Sequence, residues 1–341
     1  MTHDAPSNRR GAVLRVAAVA LGVLLLLAVG VYSAFRFTPW PSALLVRRAF
    51  TADGRRIADA LAKHVPAGVT ARRDLSYDPA DPDARFDVFS PDRPDSSGPR
   101  PTVVWIHGGA FVAGSKDEIA NYLQILAARG FTVVGVNYSL APGRRYPTPV
   151  RQVERALAYL AANAAAYRID PARLFLAGDS GGAQIAAQLA LVLSDSTYAA
   201  RVGIRPTTDI RVRGAILCCG PYDIRSVRLD GPFGRFLTTV LWAYSGTRQF
   251  MADSTFATIS VVRYVAPGFP PTFLTVGNAD PLAPLSRAFA GALVGAGVQV
   301  DTLFYPADHP TPLPHEYQFD LDIPEGRQAL ERIVAFLDSR S

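Results

Sequence analysis

The feature that most constrains the fold of this sequence is a regular alternation of short apolar runs with helix-length segments, beginning at residue 101. The runs are continuously apolar, as in strands that are buried on both faces. The segments between them are long enough for the crossover helices that parallel strands need. The alternation therefore predicts a mostly parallel, doubly wound α/β sheet with helices on both faces. The runs are TVVWIH, FTVVGVNY, RLFLAGDS, GAILCCG, PTFLTVG and VQVDTLFYP.

Two regions fall outside this alternation. Residues 221–268, rich in Arg, Phe and Tyr, are predicted to form a cap inserted into the fold. Residues 36–84 contain proline and aspartate clusters that favour turns, and they are predicted to cover the core instead of forming it. The catalytic domain, with its cap insertion, is accordingly predicted over residues 85–341.

The N-terminus carries a membrane signal. A basic segment, residues 1–15, precedes an uncharged run of 20 residues at 16–35. As a helix this run spans about 30 Å, the thickness of a bilayer core. Aromatic residues at its end and just beyond it fit an interfacial belt. We predict a single-pass anchor with an extracytoplasmic catalytic domain, and the alternative is a cleaved signal peptide followed by secretion.

Composition excludes some classes of protein. The net charge of +6 comes mainly from arginine, since Lys63 and Lys116 are the only lysines. No basic run is interleaved with stacking aromatics, so nucleic-acid binding is not predicted. Cys218 and Cys219 are neighbours in the chain, where a disulfide would be strained, and two packed thiols are predicted.

A nucleophile motif stands where the strand RLFLA meets the helix AQIAAQLALVL. The residues there are GDSGG, with Ser180 at the centre. Glycine two places before and after the serine lets the backbone turn sharply and project a nucleophile. The following helix directs backbone N–H groups, including that of Gly181, toward a reacting carbonyl. Chymotrypsin-like proteases contain the same string, but they are antiparallel barrels with the histidine and aspartate upstream.

A glycine-rich turn, HGGAF, follows the strand TVVWIH and begins at His107. Such a turn leaves backbone N–H groups uncovered and lets a substrate oxygen approach closely. That is the second half of an oxyanion hole.

Together these motifs resemble the α/β-hydrolase superfamily, specifically its hormone-sensitive-lipase-like branch of esterases. HGGAF, NYSLAP, GDSGGA and ADPL stand in the family's order, and the resemblance covers about residues 85–340. It implies Ser180 as nucleophile and Asp280 as the acid of a catalytic triad. Ala110 replaces the family's third glycine but keeps a backbone N–H. The oxyanion hole implied by the resemblance is built on Gly108, which shapes the turn, and on the N–H groups of Gly109, Ala110 and Gly181.

The position of Asp280 supports its role independently. It follows the apolar strand PTFLTVG and precedes a helix, at the same sheet edge as Ser180. Asp223, after the strand GAILCCG, is the alternative acid, because some α/β hydrolases place the acid there.

Two histidines follow the last strand, in PADHPTPLPHEY, and either one keeps the chain order Ser, Asp, His. His309 lies 29 residues after Asp280, a spacing typical of the family. The family's histidine is typically followed after one residue by an aromatic, which favours His315 because Tyr317 stands there. We assign the catalytic base to His315, with His309 as the alternative.

These features predict a serine carboxylesterase that hydrolyses small to medium acyl esters through an acyl-enzyme, without a metal or an organic cofactor. Beside a membrane, its substrate is a small-molecule or lipid ester. One alternative is a serine peptidase on the same fold, although such enzymes usually carry a further domain for which this chain has little room. The other is a catalytically inactive hydrolase-fold binding module, which would typically lack a triad residue.

Overall fold

The structure is a computed structural model that describes residues 7–92 and 98–341. Its centre is one eight-stranded sheet. The strands are β1 (Val69–Ser76), β2 (Arg85–Pro91), β3 (Arg100–Ile106), β4 (Thr132–Val136), β5 (Ile169–Asp179), β6 (Val212–Cys218), β7 (Thr272–Val276) and β8 (Val300–Phe304).

Ten α-helices accompany the sheet in the described part of the chain. Short 3₁₀ turns occupy Ile224–Ser226, Phe256–Ile259, Val261–Arg263 and Tyr317–Phe319. The helices are α1 (Ser7–Phe37), α2 (Trp40–Ala62), α3 (Ala120–Ala127), α4 (Thr148–Ala162), α5 (Ala164–Tyr167), α6 (Ser180–Ser194), α7 (Ser196–Val202), α8 (Gly231–Ser245), α9 (Ala283–Gly295) and α10 (Pro324–Asp338).

The sheet order is β1-β2-β4-β3-β5-β6-β7-β8. In this order, every neighbouring pair from β4 onward (β4/β3, β3/β5, β5/β6, β6/β7 and β7/β8) is parallel, which confirms the predicted mostly parallel sheet. The pairs β1/β2 and β2/β4 are antiparallel. β1 therefore belongs to the sheet, whereas its region was predicted only to cover the core. Five consecutive exposed residues in β1 explain the difference, because an edge strand of this kind shows no apolar pattern.

The core lies on both faces of the sheet, as the continuous apolar runs require. Alternate residues of β3 belong to two separate hydrophobic clusters, with Val104 and Ile106 on one face and Val103 and Trp105 on the other. Helix α6 is buried from Ser180 to Val192, so the helix that follows the nucleophile is the central one of its layer.

Helix α1 contains the predicted apolar run and extends beyond it at both ends. Its segment Gly11–Phe37, 27 residues long, is long and apolar enough to cross a membrane, and none of its most apolar window is buried in the protein. A signal sequence would meet the same criteria. Pro39 lies between α1 and α2. The sequence pattern did not predict a helix at α2.

Helix α2 returns to the catalytic domain. Its Arg47 side chain donates from Nε to the carbonyl oxygen of Val112 at 2.6 Å and from Nη2 to that of Ala141 at 2.9 Å. Phe50 of α2 stacks 5.6 Å from Phe236 of α8, in the predicted cap segment 221–268. Helices α2 and α8 therefore both lie over the edge of the sheet where β3 and β5 end.

Candidate active site

Ser180 stands at a sharp turn between β5 and α6. Its φ of 50° is in the left-handed region, which is costly for a residue other than glycine and typical of a nucleophile elbow. The flanking glycines make the turn possible. A Cβ on Gly182 would lie 2.1 Å from the carbonyl oxygen of Ile106, and one on Gly178 would lie 2.6 Å from the carbonyl carbon of Gly182.

The structure brings three of the predicted site residues into one hydrogen-bonded chain. The hydroxyl of Ser180 donates to Nε2 of His315 at 2.9 Å. Nδ1–H of His315 donates to Oδ2 of Asp280 at 2.7 Å. The other oxygen of Asp280 accepts from the backbone N–H of Leu282 at 2.7 Å, which fixes the carboxylate. This arrangement lets the imidazole take a proton from the hydroxyl while a buried carboxylate fixes its tautomer.

The surroundings of the imidazole favour its charged form. Burial lowers the pKa of His315, but the neighbouring Cys219 and the hydrogen bond to Asp280 outweigh burial, and the pKa rises well above its ordinary value. Burial raises the pKa of the Cys219 thiol to about 11, so that thiol is neutral near pH 7. Asp280 and Glu316 are the acidic side chains that raise this pKa, and Asp280 is the one that hydrogen-bonds Nδ1 of the ring.

The two alternative residues have other partners. Nε2 of His309 hydrogen-bonds Oε1 of Glu325 at 2.9 Å. Asp223 accepts from the hydroxyl of Ser226 at 2.6 Å and from the N–H of Arg225 at 3.0 Å, which caps a 3₁₀ turn. The structure therefore brings neither of them into the chain that contains Ser180.

The oxyanion-hole residues lie in two adjacent turns. Gly109 and Ala110 have φ values of 107° and 52°, so the turn after β3 reverses tightly. Gly181 is in the first turn of α6, where N–H groups lack an intrahelical acceptor. A Cβ on Gly181 would lie 3.3 Å from the backbone nitrogen of Phe111, so the two turns are in contact. The N–H of Gly108 donates to Oδ2 of Asp179 at 2.7 Å, which leaves Gly108 to shape the turn.

A pair of acidic residues beneath the triad was not predicted. Asp179 is buried and accepts from Nε1 of Trp105 at 2.7 Å. Its carboxyl group is also hydrogen-bonded to that of Glu316. Burial and the Glu316 carboxylate raise the pKa of Asp179 well above its ordinary value, which favours the protonated form of Asp179. The pair links the elbow, the histidine loop and the turn at Gly108.

The only sequence signal for this pair is that each acidic residue is adjacent in the chain to a predicted triad residue. Asp179 directly precedes the nucleophile, and Glu316 directly follows the histidine assigned as base. Oε1 of Glu316 also lies 3.7 Å from Nε2 of His315.

Two cavities flank Ser180. One, of about 150 Å³, is almost entirely apolar and lies beneath α8. The other, of about 170 Å³, lies between α2 and the triad and is partly lined by Glu118, Asp179 and Glu316. Burial raises the pKa of Glu118 to about 7. Residues lining the apolar cavity include Phe111, Ile224, Val227, Phe236, Leu237 and Val240.

One group of side chains in the described residues has ligand atoms close enough to hold a metal ion. Cys219, Asp280 and His315 present such atoms within 4.8 Å of one another. Asp280 and His315 are already hydrogen-bonded to each other, and the raised thiol pKa of Cys219 disfavours the thiolate that a metal would need.

Comparison with known proteins identifies the family. A family model described as the α/β-hydrolase fold matches residues 103–309, more than half of the chain. The chain belongs to the α/β-hydrolase fold family. The match includes Ser180 and Asp280 and ends before His315.

Named relatives of this α/β hydrolase are esterases, which confirms the predicted resemblance to the esterase branch. Esterase LipQ of Mycobacterium tuberculosis (strain ATCC 25618 / H37Rv) is 29% identical over 229 residues, which cover 66% of this chain and 53% of LipQ. The chain thus spans about half the length of that curated relative.

Solved structures share the fold. Esterase B from Lactobacillus Rhamnosis (HN001) superimposes with a TM-score of 0.76 at 22% identity, covering 88% of this chain and 95% of that one. A bacterial heroin esterase has a TM-score of 0.69 at 26% identity, covering 85% of this chain and 89% of that one.

Proposed function

We propose that this α/β hydrolase is a serine carboxylesterase that cleaves small to medium acyl esters through an acyl-enzyme. The observation that carries the proposal is the continuous hydrogen-bonded chain from Ser180 through His315 to Asp280, at the floor of two cavities. Esterase relatives on the same fold support it.

In the first half of the reaction His315 takes the hydroxyl proton as Oγ of Ser180 attacks the ester carbonyl carbon. Asp280 stabilises the resulting imidazolium and keeps its Nδ1 protonated. The imidazolium then gives its proton to the oxygen of the leaving alcohol, the C–O bond of the ester breaks, and an acyl-serine remains.

In the second half His315 takes a proton from water, and the resulting hydroxide-like oxygen attacks the acyl carbon. The proton returns to Oγ of Ser180 as the bond between Oγ and the acyl carbon breaks, and the carboxylic acid leaves and gives its own proton to water. In both halves the N–H groups of Gly109, Ala110 and Gly181 stabilise the oxyanion. Fixed donors of this kind act most strongly where water is excluded.

The two cavities suggest which end of the ester binds where. The apolar cavity beneath α8 suits the acyl chain, because its lining is almost entirely apolar away from Ser180 and His315. The cavity between α2 and the triad carries carboxyl groups and suits the alcohol side.

We also propose that α1 anchors the enzyme in a membrane as a single-pass helix, with the catalytic domain on the extracytoplasmic side. The support is the apolar length of α1, the lack of burial of its most apolar window, and the arginines in its N-terminal part.

Hydrolysis of p-nitrophenyl butyrate by the full chain in detergent micelles tests the activity. We expect turnover by the wild type and loss of nearly all of it in Ser180→Ala, because the nucleophile is gone. A folded wild type that cleaves p-nitroanilide amides but not esters would favour the peptidase. One that cleaves neither would favour the binding module.

A further inference from the structure

Helix α2 is both the continuation of the apolar helix and a wall of the catalytic cavity. Helix α1 ends at Phe37, and α2 begins three residues later, at Trp40. Farther along, Phe50, Gly54 and Ile57 of α2 line the cavity that contains Ser180. If α1 lies in a bilayer, the segment that leaves the bilayer is therefore the one that closes the active site.

The start of α2 lies at the level of the lipid headgroups whatever the angle between α1 and α2. Leu45 is five residues into α2, or about 8 Å at the helical rise of 1.5 Å per residue. The headgroup layer on each side of the hydrocarbon core is itself roughly 5–8 Å thick.

The outward side of α2 has the composition of an interfacial helix. Trp40, Leu44 and Leu45 are 45%, 49% and 61% exposed, although large apolar side chains at a protein surface are costly when grouped. Arg48 and Arg55 are exposed on the same helix and suit anionic headgroups.

An apolar path leads from this surface to the serine. Phe50 and Phe233 are 36% and 37% exposed, and both pack against Phe236, at ring distances of 5.6 and 5.9 Å. All three rings line the apolar cavity that reaches Ser180. An acyl chain leaving a bilayer would meet apolar side chains along its whole way.

Helix α8, on the other side of this path, is held at the same membrane end. Just after α8, Nη2 of Arg248 donates to the carbonyl oxygen of Arg36 near the end of α1, at 2.5 Å. The Arg248 guanidinium also stacks 4.0 Å from the centre of the Trp242 ring in α8. Both walls of the path are thus attached to the helix that enters the membrane.

We infer that the outward face of α2 lies on the bilayer, and that the enzyme takes its substrate from it. The substrate is a membrane-dissolved ester with a medium-length acyl chain, which enters between α2 and α8. This inference rests on the proposed esterase function and on α1 as an anchor. It goes beyond them by naming the substrate class and its route.

The test uses the full chain in phosphatidylcholine vesicles containing phosphatidylglycerol and a fluorogenic decanoate ester, with soluble p-nitrophenyl acetate assayed in parallel. The variant Leu44→Gln/Leu45→Gln changes the outward face, and neither residue lines a cavity. The control is Val294→Gln. Val294 lies on α9, away from the outward face of α2, and its apolar side chain is 62% exposed.

We expect the double variant to lose about tenfold or more of its turnover on the decanoate ester, because two leucines no longer enter the lipid. Its acetate turnover should be unchanged, and the control should match the wild type on both esters. An equal loss on both esters, or no loss on either, would overturn the inference. Wild type inactive on both would instead overturn the proposed function, and the inference with it.

Trp40 provides a second readout that does not depend on activity. Brominated phospholipids quench tryptophans that enter the bilayer, and the contribution of Trp40 is the difference between the wild type and Trp40→Phe. We expect strong quenching of Trp40. Absence of quenching would show that this face does not lie on the bilayer. A wild-type dimer that Leu44→Gln/Leu45→Gln converts to a monomer, with turnover on vesicles retained, would show that the face binds a second copy of the chain instead.

Discussion

At the scale of residues, the choice between the two histidines depends on a loop conformation that spacing does not reveal. The carbonyl oxygen of Leu313 accepts from the N–H of Ala279 at 3.0 Å, and the N–H of Leu313 donates to Oδ1 of Asn278 at 2.8 Å. The loop is thereby held against the end of β7, beside Asp280. The residues between the two histidines span this contact, and they bring His315 to Ser180.

Substituting the two histidines separately tests the assignment of the base. We expect His315→Ala to reduce kcat on p-nitrophenyl butyrate by about 10⁴-fold or more, since the imidazole is needed in both proton transfers. His309→Ala is the matched control and should stay close to wild type. The reverse pattern in steady-state kinetics would transfer the role to His309.

The pH profile tests the role of Asp280. Because the base must be neutral to act, its raised pKa should place the acid limb of kcat/KM above the ordinary histidine value of about 6.5. Asp280→Asn removes a group that raises this pKa, so the limb should move to lower pH while kcat falls about 10⁴-fold. An acid limb that does not move would argue that Asp280 does not act on the imidazole.

The raised pKa of Asp179 should appear in the pH dependence of the protein's stability. The pKa of Asp179 is raised in the folded state, so above about pH 4, where the unfolded chain releases the Asp179 proton, the folded state still holds it. The free energy of unfolding should therefore fall as pH rises from about 4 toward the raised pKa.

Glu316→Gln isolates this effect, because its amide can still donate to Asp179 but carries no charge. We expect a smaller loss of stability between pH 5 and pH 8 than in the wild type, measured by urea unfolding in micelles. The control Glu331→Gln changes an exposed residue paired with Arg129 and should keep the wild-type slope. Equal slopes in all three proteins would contradict the effect of Glu316 on the pKa of Asp179.

At the scale of elements, apolar runs predicted the parallel strands well because those strands are buried on both faces. Pattern reading missed three elements, α2, β1 and β2. Strand β2 is mostly buried, but Asp87 interrupts its apolar run, whereas α2 and β1 are largely exposed. Helix α2 has only two fully buried residues, and β1 is exposed over most of its length. Their apolar contacts depend on tertiary partners that no local pattern specifies.

The nucleophile elbow is the element whose glycines are most constrained. Gly182→Ala would place a methyl group against two carbonyl oxygens, 2.1 Å from that of Ile106 and 2.4 Å from that of His107. We expect the free energy of unfolding to fall by about 2–3 kcal/mol or more, measured by urea unfolding.

The matched control for this substitution is Gly291→Ala, in helix α9. A Cβ on Gly291 would have no neighbour within 4 Å. Alanine is the better helix former, so the change should stabilise the protein by about 0.5–1 kcal/mol. Similar effects of the two substitutions would contradict the steric account of the elbow.

At the scale of the whole molecule, the sequence located the candidate triad because each residue follows or ends a strand at one edge of a parallel sheet. Ser180, Asp280 and His315 are far apart in the chain, but the topology brings them to that edge. The contact between Asp179 and Glu316 and the position of α2 over the catalytic cavity could not be predicted. Both depend on how loops and the N-terminal segment fold back over this edge of the sheet.

The most direct test of the central claim is to trap the covalent intermediate. The full chain would be treated with a p-nitrophenyl alkylphosphonate, which phosphonylates an activated serine, then digested and analysed by mass spectrometry. We predict one adduct, on the peptide that contains Ser180, with complete loss of butyrate hydrolysis and much slower labelling in His315→Ala. An adduct on another residue, or esterase activity that survives full labelling of Ser180, would contradict the account.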